Sequence, residues 1–172
     1  MTQMLPGLVR VAYLVNPANP VYAGVGPRLQ ALAEPLGLRI TPVGAGTREE
    51  LEAAFKAMSA ARAQAVYVMG DPFLWNQRQR IAELALLDRL PSMSNFFECV
   101  EAGGLMSYGA DTRDAMRQAA TYIDKIFRGA KPGDLPIERA NKVDLVINRK
   151  TANAMQLVIP QVLLLQAERV IE

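Results

Sequence analysis

The chain has 172 residues, 51% of them apolar and 21% charged, enough for one domain with a proper core. Its net charge of +2, with acidic and basic residues interspersed, supplies no basic stripe for nucleic acid or an anionic membrane surface. There is no His, and Cys99 is the single Cys, which removes Ser-His and Cys-His triads, an intramolecular disulfide and most metal sites. No metal and no cofactor is expected.

The opening "MTQMLPGLVRVAYLV" lacks the basic n-region, long apolar core and cleavage site of a signal peptide. No stretch reaches the ~20 apolar residues of a membrane span, so the chain as written reads as soluble and untargeted, cytoplasmic if made in this form. Short apolar runs then recur at the spacing of a βα repeat: "VRVAYLV" from Val9, "LRITPV" from Leu38, "AVYVMG" from Ala65, "LPSMSN" from Leu90 and "GLMSYG" from Gly104. Helical segments separate them. "VYAGVGPRLQALAEPLG" is loosened by its glycines and Pro27. Thr47 and Glu50 form a capping box ahead of "LEAAFKAMSAARA". "LWNQRQRIAELALLDR" sets Leu74, Ile81, Leu84 and Leu87 on an apolar stripe. Asp111 or Thr112 can cap "RDAMRQAATYIDKIFRG", where Met116, Ala119, Ala120, Ile123 and Phe127 share one face and Gly129 closes the end.

This alternation predicts a flavodoxin-like or Rossmann-like α/β domain, a mainly parallel five-stranded sheet over residues 8–110 in the order 2-1-3-4-5 with helices on both faces. After Gly129 comes a connector, "AKPGDLPIERANK", and then an alternating strand, "KVDLVIN", with Val143, Leu145 and Ile147 on one face. A short helix, "RKTANAMQL", and a last helix, "PQVLLLQAERVIE" with Pro160 in its first turn, complete the chain. "FFECVEAGG" gives Cys99 no basic partner, so it reads as a small buried or half-buried residue.

In an open parallel sheet a ligand lies beyond the carboxyl ends of the strands. Those ends read "NPANP", "GAGT", "GDPF", "SNFF" and "SYGAD". Four of the five carry an aromatic, an Asn or an Asp. Asn16 and Asn19 are equally turn residues or ligand contacts, and Asp71 equally a helix cap or a ligand group. Phe96 and Phe97, if extended, face opposite ways, so one of them reaches a ligand. Tyr13 and Tyr67 lie inside strands and read as core. "GVG" and "GAG" lack the spacing and the Lys of a phosphate loop. No acid, base and nucleophile come together, so the chain is read as a binding module and not an enzyme, with no catalytic residue.

The stretches "RVAYLVNPANP", "GDPFLWNQRQRIAELALLDRLPSM", "VEAGGLMSYGAD" and "LPIERANKVDLVINRKTANAMQLVIP" together resemble the ABC transporter substrate-binding protein family that includes tryptophan- and tyrosine-binding lipoproteins. The resemblance runs in order from about Pro6 to Glu172. It implies the type I periplasmic-binding-protein fold, two α/β lobes closing on a small molecule such as an aromatic amino acid, and delivery to an ABC permease from the periplasmic or extracytoplasmic side. Family members carry a signal sequence and a first lobe ahead of the point where this chain begins. The resemblance therefore casts residues 6–110 as the ligand-binding lobe and 111–172 as helix, connector, strand and terminal helices returning to the other lobe. Gln156 stands where the family tends to have Gly, and Cys99 where it tends to have an apolar or aromatic residue.

Mapped onto this sequence, the resemblance gives Asn16, Asn19 and Tyr22 to the first ligand loop. Asp71, as a carboxylate for an ammonium, and Phe73, as a ring for stacking, belong to the third, Asn95 and Phe96 to the fourth, and Tyr108 and Asp111 to the hinge side. With one lobe absent, a homodimer through residues 105–150 is expected, with Phe127, Val143, Leu145 and Ile147 as its apolar contacts. A non-transporting dimeric fragment, and a small flavodoxin-like nucleotide-binding protein or enzyme, stand as alternatives.

Overall fold

The structure, a computed structural model, describes residues 1–22, 24–137 and 143–172. Seven strands form one sheet in the order β2-β1-β3-β4-β5-β6-β7: β1 Arg10–Val15, β2 Arg39–Gly44, β3 Ala65–Val68, β4 Ser92–Ser94, β5 Met106–Ala110, β6 Val143–Asn148 and β7 Arg169–Ile171. The first five pair in parallel in the order expected from the sequence. β6 then runs antiparallel to β5, Ala110 facing Val143, and β7 parallel to β6. Pro42 interrupts no ladder bond that matters because β2 is an edge strand.

The helices are α1 Val25–Ala33, α2 Arg48–Ala60, α3 Pro72–Asn76, α4 Arg78–Leu87, α5 Phe97–Glu101, α6 Thr112–Phe127, α7 Arg149–Ala154 and α8 Gln161–Gln166. The alternation of side chains along each strand sorts the core into two faces. On one, Ala12 and Leu14 of β1 and Val66 and Val68 of β3 meet Leu51, Phe55 and Met58 of α2 and Ile81 and Leu84 of α4. On the other, Leu8, Val11 and Ala65 form a small cluster, and Met4, Leu105, Met106, Leu145, Ile147, Ala152 and Leu163 form a larger one. Thr47 and Glu50 make the reciprocal capping box at the start of α2. Cys99 is half-buried, and burial pushes its thiol up.

Several elements differ from the periodicity reading. The segment from Val21 breaks at Gly24, whose φ of 79° is left-handed, so α1 starts only at Val25. The helix expected from Leu74 begins instead at Pro72 and divides at Gln77 into α3 and α4. α5 is a single short turn of helix inside "FFECVEAGG". The last helix stops at Gln166, where Ala167 turns extended, and the β-branched Val170 and Ile171 pair with β6.

The largest correction concerns the tail. Leu145 and Ile147, expected at a dimer interface, are buried in this chain's own core, since β6 closes onto β5 within the same molecule. Residues 143–172 thus complete the sheet. Of the expected interface residues, Phe127 is 86% exposed and Val143 47% exposed. The final residues of the connector, 138–142, lie outside the described ones. α6 stands apart with Met116, Ile123 and Phe127 all exposed along one side.

α7 ends in a Schellman arrangement: the Leu157 N–H donates to the Ala152 carbonyl (2.8 Å) and the Gln156 N–H to that of Asn153 (3.0 Å). This geometry requires a left-handed residue after the cap, and Gln156 supplies it at φ 59°. A side chain at such a φ is strained by roughly 1 kcal/mol, which accounts for glycine being the residue suited to this position. Gln156→Gly is expected to raise Tm by about 2–4 °C, corresponding to about 1 kcal/mol for a chain of this size. Differential scanning calorimetry checks this, and an unchanged or lower Tm would show that contacts of the Gln156 side chain offset the strain.

Candidate functional site

The polar corner after β1 folds onto the end of β3. Within the corner, the Asn16 Oδ1 accepts from the Ala18 N–H (3.0 Å) and the Asn19 Oδ1 from the Val21 N–H (3.1 Å). Each amide is thereby oriented with its NH2 outward, and both reach Asp71: Asn16 Nδ2 donates to Oδ1 at 3.3 Å and Asn19 Nδ2 to Oδ2 at 2.7 Å. The Tyr22 hydroxyl donates to the Gly70 carbonyl. Asn16, Asn19, Tyr22 and Asp71 are therefore one network at the carboxyl edge of the sheet.

Asp71 is also the N-cap of α3, its Oδ1 accepting from the N–H groups of Phe73 (2.8 Å) and Leu74 (3.1 Å). It is 2% exposed. Burial pushes its pKa up, but the bonds from Asn19, the Leu74 N–H, Asn16 and the Phe73 N–H outweigh burial and hold the carboxyl below its ordinary value. Nearby, burial first and the Asp71 charge second push the Tyr22 phenol up. With four donors already on it, Asp71 is first of all a clip between two loops.

The loop after β4 closes against these two. A Cβ added to Gly70 would lie 2.6 Å from Asn95 Nδ2 and 2.9 Å from a Phe96 ring carbon, and one added to Gly109 would overlap the Asn95 carbonyl. Asn95 and Phe96 are thus seated by glycines on both neighbouring strands. Beside them opens a hollow of about 630 Å³, lined by Gly70, Asp71, Pro72, Trp75, Asn76, Phe96 and Glu98. Its walls are mostly apolar. Trp75 is held in place by Arg78, whose guanidinium lies 4.1 Å over the indole and donates to the Trp75 carbonyl at 3.0 Å.

A second hollow of about 350 Å³ lies over β5, β6 and β7, with Asn95, Asp111, Arg113 and Arg169 among its lining. Two of its arginines are paired. Arg113 binds Asp111 through two nitrogens (3.1 and 3.0 Å), and Arg169 binds Glu101 (2.8 Å). Both guanidiniums flank the Phe97 ring, at 4.4 and 5.2 Å. Asp111 caps α6 by accepting from the Arg113 N–H.

Five of the expected residues line neither hollow. Asn16, Asn19 and Tyr22 form the network behind Asp71, and the other two stand apart from it. Phe73 packs against the main core cluster beneath α3, because its position in that helix faces the sheet with Leu74. Tyr108 is 56% exposed on β5, opposite Leu145, and lines neither hollow. The sequence reading missed Trp75 and Glu98. Trp75 follows Asp71 by one helical turn, which places it over the same edge once the helix is known to begin at Pro72.

Because the Asp71 pKa is lowered in the folded chain, its contribution to stability is fully present above the usual carboxylate range. It is lost as pH falls through the folded value. Asp71→Ala should cost about 2–3 kcal/mol at neutral pH, the scale of a lost charged hydrogen bond and cap. The variant should also lose less stability on acidification than the parent. Chemical denaturation at neutral and acidic pH measures both, and equal acid sensitivity of the two proteins would remove Asp71 from the list of stabilising carboxylates.

No curated protein sequence matches the chain. The family model described as ABC transporter substrate binding protein matches residues 1–171. Among solved structures, a conserved domain protein from Vibrio cholerae is similar at 24% identity and a TM-score of 0.86, over 98% of this chain and 57% of that one. An ABC domain in complex with L-Trp from Streptococcus pneumoniae is similar at 23% identity and a TM-score of 0.86, over 99% of this chain and 57% of that one. A ligand-free, open substrate-binding protein with adhesive properties from Clostridium difficile is similar at 16% identity and a TM-score of 0.75, again over 99% and 57%. The chain thus spans 57% of the length of each of these structures, and at such identities the likeness is one of fold, that of an α/β domain. With a family match that omits only the final residue, the chain belongs to the ABC transporter substrate binding protein family.

Proposed function

We propose that the chain is a ligand-binding lobe of the extracytoplasmic component of an ABC importer, capturing a small molecule for a membrane permease. Aromatic amino acids are the favoured ligand class. The observation that carries this reading is the hollow at the carboxyl edge of the sheet, where Trp75 and Phe96 supply flat apolar walls beside the carboxylates of Asp71 and Glu98. Asn16, Asn19 and Tyr22 act in it as the frame that fixes Asp71, with Asn95 beside Phe96. Asp111 and Tyr108 belong to the hinge side, and Phe73 supports α3 from below. The similar structure that holds L-Trp agrees with this class.

A single lobe presents one wall of a site that a ligand normally enters almost completely. The expected affinity of the chain alone for L-tryptophan, L-tyrosine or L-phenylalanine is therefore only about millimolar. Ligand-observed NMR at matching concentrations should detect these three and not L-glutamate. No contact with any aromatic amino acid would overturn the assignment.

A second reading concerns assembly, and the exposed apolar side of α6 favours it. Met116, Ile123 and Phe127 are 72%, 52% and 86% exposed, a row no element of the chain covers among the described residues. In a two-lobed arrangement the other lobe would lie against this helix. In the chain as it stands, a second copy takes that place, giving a homodimer through α6 and Val143 within the region 105–150, without exchange of β6. Light scattering should return twice the monomer mass, and Phe127→Asp should return the monomer mass. A parent chain that stays monomeric at micromolar concentration would refute the dimer.

A further inference from the structure

A residue lining the first hollow carries a carboxylate oxygen with no hydrogen-bond partner among the described residues. Glu98, in the first turn of α5, lines the hollow with Trp75 and Phe96, and its Oε2 is closed off from solvent with no hydrogen-bond partner among the described residues. Arg113 is near enough to feel the Glu98 charge, but the neighbouring cations make their hydrogen bonds elsewhere. Arg78 is laid over Trp75 and bonded to its carbonyl, and Arg113 is committed to Asp111 through two nitrogens. Asp71, the other acid of the hollow, already receives four donors. A carboxylate oxygen shielded from water and left unpaired is costly, and a cation that enters the hollow and reaches it past the side chains covering it relieves that cost. In the second hollow, Arg113 and Arg169 are matched by Asp111 and Glu101.

We propose that Glu98 is the anchor for the ligand's ammonium group, with Trp75, steadied by Arg78, and Phe96 as the walls that accept a flat side chain. This rests on the reading of the chain as a small-molecule-binding lobe and deepens it. The ligand class becomes a primary amine carrying an aromatic ring, held by a charge-assisted hydrogen bond to Glu98 and by contact with the indole. Asp71 then keeps the loops in place while Glu98 does the recognising.

Trp75 is the single tryptophan of the chain, so its emission reports on this hollow alone. Three probes with the same ring separate the contributions: L-phenylalanine, 2-phenylethylamine, which keeps only the ammonium, and 3-phenylpropanoate, which keeps only the carboxylate. Titrated into the chain, the first two should shift or quench Trp75 emission and the third should bind at least about tenfold more weakly. Glu98→Gln should weaken the first two by about tenfold or more and leave 3-phenylpropanoate unweakened, a pattern that mere loosening of α5 would not produce. Glu98→Asp, which keeps the charge, should lose less than Glu98→Gln, and circular dichroism identifies any variant that fails to fold. Binding of all three probes alike, or equal affinities in parent and Glu98→Gln, would overturn the role of Glu98 while leaving the binding reading intact. No response to any probe would overturn both.

Discussion

The carboxylate of Asp71 is the point on which the carboxyl edge of the sheet depends. It terminates two loops at once, accepting from Asn16 and Asn19 on one side and from the first turn of α3 on the other. The stiff corner "NPANP" makes sense in that light. Pro17 and Pro20 restrict the unfolded chain, and the two internal Asn turns aim both amide groups before Asp71 is met. The edge of the sheet is assembled in advance, so a ligand entering it need not order these loops.

Around that clip the loops are layered by close approach. Gly70 and Gly109 admit the segment Asn95–Phe96 between them, and this segment divides the edge into two unlike environments. On the β3 side the walls are an indole and a phenyl ring with carboxylates nearby. On the β5 side, ion pairs are stacked over Phe97. Those exposed pairs add little to stability individually. Their effect is to hold both guanidiniums against the Phe97 ring.

Much of the architecture is legible in the residues. The apolar runs at βα spacing suffice for the order 2-1-3-4-5, because right-handed crossovers leave few ways to arrange five parallel strands. Short elements are another matter. β7 has three residues and α5 five, below the length at which a period can be told from chance, and both exist because neighbours complete them. The alternation in "KVDLVIN" put Leu145 and Ile147 on one face, yet Val146 of the other face is buried along with them, so both faces of β6 are covered there. At the carboxyl edge, Asn16, Asn19 and Asp71 were visible as polar groups at strand ends. Trp75 and Glu98 were not, because each lies a few residues into a helix whose start only the cap and the fold determine.

The antiparallel pairing of β5 and β6 has a mechanical meaning. The excursion that carries α6 leaves the sheet at Ala110 and returns at Val143, and these two residues face each other across the ladder. Whatever hangs from α6 is tied to the domain by two adjacent backbone crossings at one point of the rim. Such a paired tether resists twisting about the chain direction and sliding along the rim, and it leaves a swing about the line joining the two crossings as the soft direction. That line borders the second hollow, which Ala110 itself lines, so the soft direction of anything carried on α6 is a hinge at the rim of that hollow.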